Sequence, residues 1–337
     1  MARCVVSSWN GLGYPRTDRI GTPGETVRIR VPVAVAFALP LLPAAARADI
    51  AGTPSAVHAL TGVTIVAEPG AEGIDGAVVL RDGRVELLGA GVDIPPDAIV
   101  HELPGRTVYA GFVEPYLRLP AREDASAPPG DGDDATERTG ASDANPSVRA
   151  DVRAIDALPL DAELLDAMRR AGYAVAHVVP GRGVLRGTGT VVSLGDGRAA
   201  DDVLVPDAAQ VVAFEHGGWT DRAYPNSLMG AIALTRQTFY DAGWYRDAWR
   251  AWEEAGDEDV ERPEANGALR ALGPALDGMP VFFESEDLRM LPRTLGVARE
   301  HGLHAVIVSA GSDEYRRPDR VRSWLDAAHA DLVLGVD

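Results

Sequence analysis

Arginine carries every basic charge in this chain: Lys and Arg together number 32 in 337 residues, and none is lysine. Chemistry that needs an ε-amino group is therefore excluded, whether a Schiff base, a phosphate-loop lysine or a carbamylated-lysine metal bridge. The one cysteine, Cys4, precedes a leader-like segment. A mature chain without that leader has neither disulfides nor a thiol nucleophile. Histidine, carboxylate, tyrosine and arginine remain.

The seven histidines are His58, His101, His177, His216, His301, His304 and His329, and a transition-metal site needs several imidazoles or carboxylates to converge. His301 and His304 are three apart but flank Gly302 at a helix-to-strand junction, where a cationic imidazole suits the helix end. His177 lies in an apolar run and reads as a core histidine. The other four are isolated. A different chemistry is offered by Pro180-Gly181-Arg182-Gly183 with Arg186-Gly187 just after. A glycine-rich loop after a strand presents backbone N–H groups, with Arg182 and Arg186, to an anion. Its spacing is not that of a phosphate loop, and a tight turn with surface arginine is the plainer reading.

The elements that must position these residues follow from periodicity. From Ala56 to Val113 short β-branched runs alternate with glycine turns, and Arg81-Asp82-Gly83-Arg84 is a hairpin signal. Residues 56–106 are expected to form the N-terminal part of a composite, small β-sandwich module. Residues 121–145 hold seven acidic and two basic residues with almost nothing to bury, and are expected to be a solvated, mobile insertion. Beyond it, Leu160 to Arg170 reads as a helix and Tyr173 to Val179 as a buried strand. Gln210 to Phe214 is a further strand. Leu228, Ile232, Phe239, Ala242, Tyr245, Trp249 and Trp252 mark one long helix opened by Asn226-Ser227. Strands are expected at Val281 to Phe283, Ala305 to Ser309 and Leu332 to Val336, with a helix at Leu288 to Glu300. Repeated strand-helix order implies an α/β fold, and at this length a (β/α)8 TIM-type barrel over 107–337. The last strand reads as about the seventh, so the barrel is expected to be incomplete at its C-terminal end.

Arg28-Ile-Arg30, an uncharged run from Val31 to Ala46 and Ala46-Arg47-Ala48 have the order of a secretory signal peptide. Residues 1–48 are read as leader, with the signal at 28–48, cleavage after Ala48 and a periplasmic or secreted product. The formal charge of −18 would repel nucleic acid and anionic membrane surfaces, so neither is an expected partner.

Two stretches resemble a known family. Arg81-Asp82-Gly83-Arg84-Val85 and Tyr109-Ala110-Gly111-Phe112-Val113-Glu114 resemble the opening of imidazolonepropionase-like amidohydrolases. Tyr224-Pro225-Asn226-Ser227-Leu228-Met229-Gly230-Ala231 and its continuation to Phe239 resemble large exported bacterial amidohydrolases with two units in tandem, the first degenerate. The resemblance implies hydrolysis of carbon–nitrogen bonds by metal-activated water. It also implies histidines on the first, fifth and sixth barrel strands. Here Tyr116-Leu117-Arg118 stands in the His-x-His place, and neither Phe283-Glu284-Ser285-Glu286 nor Ser309-Ala310-Gly311 contains histidine.

No cofactor or metal is therefore expected. Glu114, Tyr116, Arg118, Glu284 and Glu286 are the candidate cleft residues at the carboxyl ends of the strands, with Arg118 expected to pair with Glu284 in place of a metal's charge. The leading expectation is a noncatalytic domain that supports an active amidohydrolase domain or subunit, in cis or in trans. One alternative is an active amide or cyclic-amide hydrolase with an atypical carboxylate site, binding zinc or another divalent metal. The other is a module binding a small anionic molecule through Arg118 and Arg186.

Overall fold

Alternating β-branched and small residues over 57–109 form a four-stranded sheet in the computed structural model, ordered β3-β2-β1-β4. The structure describes residues 57–68, 70–81, 83–119, 142–195, 200–216, 224–256, 260–285, 287–309, 311 and 314–335. The leader read at 28–48, Asp82, Glu286 and the acidic segment up to residue 141 lie outside them. The chain divides into two units, one within 12–110 and the other including 111–337.

In the smaller unit, β1 (Val57–Val66) pairs antiparallel with β2 (Ile74–Arg81) and parallel with β4 (Ala98–Tyr109), while β3 (Arg84–Gly89) returns along β2. Both ladders of β1 slip between Thr61 and Val63, at Gly62. Val57 and Ala59 pack with Val79, whereas Val63 and Ile65 pack with Val78. Neighbouring strand residues point to opposite faces, so the bulge transfers the buried side of β1 from one face to the other. Among the described residues this module is a single four-stranded sheet.

The larger unit holds a seven-stranded sheet in the order β11-β10-β9-β8-β7-β6-β5. Its strands are β5 (Phe112–Arg118), β6 (Tyr173–Val179), β7 (Leu185–Ser193), β8 (Val203–Ala213), β9 (Val281–Ser285), β10 (Ala305–Ser309) and β11 (Asp331–Leu334). All run the same way except β7, which is antiparallel to both neighbours. The all-parallel barrel expected from the sequence is corrected here. Between β6 and β8 the chain makes two hairpins instead of helical crossovers, and Leu185 to Gly187 begin a strand, not a loop.

Helices α1 (Ala162–Arg170), α2 (Leu228–Ala255), α3 (Gly267–Ala271), α4 (Gly273–Leu276), α5 (Leu291–Glu300) and α6 (Pro318–Ala328) complete this unit. Asp161 caps α1 by accepting from the N–H groups of Glu163 and Leu164, and Ser227 Oγ accepts from Gly230 N–H to start α2. Outward side chains of the sheet, such as Leu185, Val212 and Phe283, join Phe239, Leu272 and Leu295 in the largest core cluster. Val179, Ala209, Val211, Phe282 and Val306 form a second cluster with Tyr116 and Val333. That cluster draws on strands from one edge of the sheet to the other, so the sheet is strongly curled. Residues 142–145, the described end of the acidic segment, are tied down: Asn266 Nδ2 donates to Asp143 at 3.0 Å.

Candidate functional site

Glu284, near the carboxyl end of β9, receives its partners from two β-bulges. On β5, Glu114 faces Ala176 and Leu117 faces Val178, so Pro115 and Tyr116 crowd one extra residue into the edge strand. Proline suits that position because it has no N–H to leave unpaired. The bulge is closed by Glu114 Oε1, which accepts the Tyr116 N–H at 3.0 Å, and by His177 Nδ1, which donates to the Pro115 carbonyl at 3.1 Å. Tyr116 is thereby turned across the sheet. Its ring stacks on Phe282 at 6.0 Å and its hydroxyl donates to Glu284 Oε1 at 2.7 Å. In a flat sheet β5 and β9 would be roughly 19 Å apart, four spacings of about 4.8 Å. The curl makes the contact.

On β7 the ladder to β8 steps from Leu185↔Val212 to Gly187↔Val211, so Arg186 is the extra residue of the second bulge. Bulges re-aim side chains in this way. Because β7 runs backwards, its first residues lie beside the carboxyl ends of the other strands. Arg186 is fully buried. Its Nη1 donates to Glu284 Oε1 and its Nη2 to Glu215 Oε1, each at 2.7 Å. Arg118, 54% exposed, adds a looser ion pair to Glu284 Oε2 at 3.7 Å. The expected Arg118–Glu284 pair is present, but Arg186 is the principal partner.

Burial, followed by the charge and hydrogen bond of Glu284, pushes the Tyr116 phenol up from its usual range. It remains a donor. His177 is the opposite case: burial lowers its imidazole to about 4 against 6.5, and Nε2 has no partner among the described residues. Phe282 packs edge-on against that ring at 4.7 Å. A Cβ at Gly189 would lie 2.2 Å from Nε2, which explains the glycine.

Between pH 4 and 6.5 unfolded His177 binds a proton that the folded chain does not. Its contribution is therefore intact above about pH 6.5 and is lost as pH falls toward 4. A loss of about 2 kcal/mol by pH 4.5 is expected from this group. Urea midpoints across that range should show a slope that His177→Gln flattens.

The other sequence candidates are less central. Arg182 is exposed in the turn before β7, and Glu286 lies outside the described residues. His301 packs on Tyr240 and Phe239, while His304 approaches Asp331 at 3.6 Å, so the two do not converge. His58 and His101 hydrogen-bond each other at 3.0 Å in the small sheet. Two acids were missed. Glu215 follows directly on the strand read at 210–214, and a carboxylate just beyond a strand's carboxyl end is a legible signal. Glu314 is buried and accepts from Ser309 Oγ, itself held by the Gly311 N–H at 3.1 Å.

Residues of this kind do not fit a divalent cation. Arg186 is permanently protonated and takes up an oxygen of each of Glu284 and Glu215. Among the described residues no set of three His, Cys, Asp or Glu side chains is placed to hold a metal ion.

No family model and no curated protein matches the chain. A solved structure of an amidohydrolase from Thermotoga maritima MSB8 superposes with a TM-score of 0.64 at 20% identity, over 82% of this chain and 69% of that one. The chain has an amidohydrolase-type fold. Two more solved structures, of an uncharacterized protein and of a prolidase complexed with N-methylphosphonate-L-proline, are 16% and 15% identical. Each covers 83% of this chain and 78% of its own, at TM-scores of 0.35. Within the amidohydrolase-type fold, Glu284 and Arg186 stand at the strand ends where barrel enzymes place their chemistry.

Proposed function

We propose that this chain is a noncatalytic amidohydrolase-type domain whose cleft is filled by its own ion-pair network. One observation carries the reading: a fully buried Arg186 lies between Glu284 and Glu215 at 2.7 Å from each. Two arginines, Arg118 and Arg186, balance two carboxylates. The carboxylate best placed to act as base or ligand is thus already held by a cation and a phenol. Hydrolysis in the superfamily that the sequence resembles relies on metal-bound water, and among the described residues no set of three His, Cys, Asp or Glu side chains is placed to hold that metal.

A domain of this kind serves by packing against, or presenting its cleft to, an active amidohydrolase unit in cis or in trans. The leader read at 28–48 supports export to the periplasm or beyond. Metal content tests the reading. Purified without chelator, the chain is expected to hold less than about one-tenth equivalent of zinc, manganese or iron. Close to one metal per chain by elemental analysis, retained through mild chelation, would overturn it.

A further inference from the structure

Strands β1 and β4 of the smaller unit bring two imidazoles together on one face of their parallel ladder. His58 is in register with Ile99, and Leu60 with His101, so the histidines sit diagonally across neighbouring strands. Residues in register share a face of the sheet, and their chain neighbours take the other. Val57 and Ala59 accordingly point away from the pair and pack with Val79. The two rings are nearly parallel, 20° apart with centroids at 5.3 Å, and His58 Nδ1 lies 3.0 Å from His101 Nε2. Solvent reaches them: His101 is exposed, His58 is half-buried, and Ile99 on the same face is 51% exposed.

A hydrogen bond between two imidazoles needs an N–H on one ring and a lone pair on the other. At least one ring is therefore neutral, which is the form that ligates a metal. Two nitrogens bound to one ion at about 2.0 to 2.1 Å each stand about 2.9 to 3.4 Å apart, for bond angles from square to tetrahedral. The separation of 3.0 Å already meets that spacing. A turn of each ring about its Cβ–Cγ bond then makes the lone pairs converge above the sheet. Among the described residues neither ring has a further hydrogen bond that would resist the turn. No third His, Cys, Asp or Glu side chain joins the two among those residues, so water completes the shell.

We propose that His58 and His101 form a surface site for a divalent transition-metal ion, copper(II) ahead of nickel(II) and zinc(II). Paired imidazoles without carboxylate or thiolate suit such ions, and copper binds nitrogen donors most tightly among them. Magnesium and calcium prefer oxygen ligands and are poorly served. An ion held here bridges β1 to β4, the edge strand of the four-stranded sheet, and staples that edge in place. The formal charge of −18 draws cations toward the molecule. The site uses none of the residues around Glu284. With two protein ligands it releases its ion to mild chelation, so it is distinguishable from a retained metal in the cleft.

The full-length chain, stripped with chelator and dialysed, can be titrated with copper(II) chloride at neutral pH and followed by electron paramagnetic resonance, whose nitrogen hyperfine pattern counts the imidazole donors. One saturable equivalent with two nitrogen donors is expected, with Kd on the order of 10 μM for half the ligands of a structural site. His58→Gln and His101→Gln should each weaken binding at least about tenfold and leave a one-nitrogen pattern. A roughly hundredfold excess of magnesium chloride should not displace the copper. His304→Gln should leave the affinity unchanged, although His304 lies 3.6 Å from Asp331 and is another place where two potential ligands meet. A one-nitrogen pattern in the unsubstituted chain would overturn the proposal, and that reading stands even if a variant fails to fold. Unchanged copper affinity in both His58→Gln and His101→Gln, displacement by magnesium, or loss of binding in His304→Gln would overturn it too.

Discussion

Arg186→Met is expected to destabilise the larger unit by about 3 to 5 kcal/mol, because it leaves a largely buried carboxylate without its cation. Glu284 is 21% exposed. Among the described residues it then keeps the Tyr116 hydroxyl and the distant guanidinium of Arg118. Glu215, half exposed, can turn to water and loses little. Urea unfolding at neutral pH measures the effect, and two companions make it specific. Arg186→Met combined with Glu284→Gln should recover most of the loss, since a buried ion pair exchanged for neutral side chains is often close to neutral in stability. Arg118→Ala alone should change stability by less than about 1 kcal/mol, as befits an exposed pair at 3.7 Å. An Arg186→Met midpoint equal to that of the parent chain would show that the network does not hold the cleft.

The same comparison separates an inert cleft from a poised one. If Glu284 were held in a strained arrangement for chemistry, removing both partners would stabilise the fold beyond the parent. A network that only satisfies its own charges predicts recovery and no surplus. Tyr116 argues for the latter, since its hydroxyl is spent as a donor to the same oxygen that Arg186 holds.

Regular elements were legible wherever local rules agreed with tertiary need. The strand at Tyr173 to Val179 and the one at Ala305 to Ser309 match their ranges, because apolar runs bounded by turn residues leave few other options. The helix read from Leu160 to Arg170 begins at Ala162, where the Asp161 cap places it. The long helix over 228–255 was marked by both its cap and its stripe. What escaped was β7, whose Leu185-Arg186-Gly187-Thr188-Gly189 start carries a charge and two glycines and so looks like a loop. Both glycines answer to contacts distant in sequence, Gly189 to the His177 ring and Gly187 to the Val152 carbonyl. The bulges that aim Tyr116 and Arg186 at one oxygen depend on register, which periodicity does not encode. Arg118 was paired with Glu284 from strand position alone. Nothing local said that a buried Arg186 would arrive from a reversed strand.

Gly187→Ala should be nearly as damaging as the loss of Arg186, and for a backbone reason. Gly187 has φ of +122°, a region that side-chain-bearing residues rarely adopt, so a Cβ is strained there at the outset. A Cβ would also stand 2.1 Å from the Val152 carbonyl oxygen and 3.1 Å from that of Arg149. Neither atom can rotate away. Val152 O accepts the Thr188 N–H at 2.8 Å, and the Arg149 N–H donates to Leu185 O at 2.8 Å, so segment 149–152 is laced to β7 on both sides of the glycine. Relief requires breaking that lacing or flattening the bulge, and flattening it turns Arg186 away from Glu284. Backbone strain of about 1 kcal/mol and overpacking of about 1 to 3 kcal/mol together suggest a loss near 3 kcal/mol. For a unit of this size that is a fall of about 6 to 12 °C in Tm. Gly243→Ala is the matched control. Gly243 lies inside α2 with ordinary φ and nothing within 4 Å of a built Cβ, so alanine there should leave Tm unchanged or raise it through better helix propensity, by up to about 1 kcal/mol. Equal midpoints for the two variants would mean that the bulge yields freely, and that Arg186 is not aimed by the backbone at all.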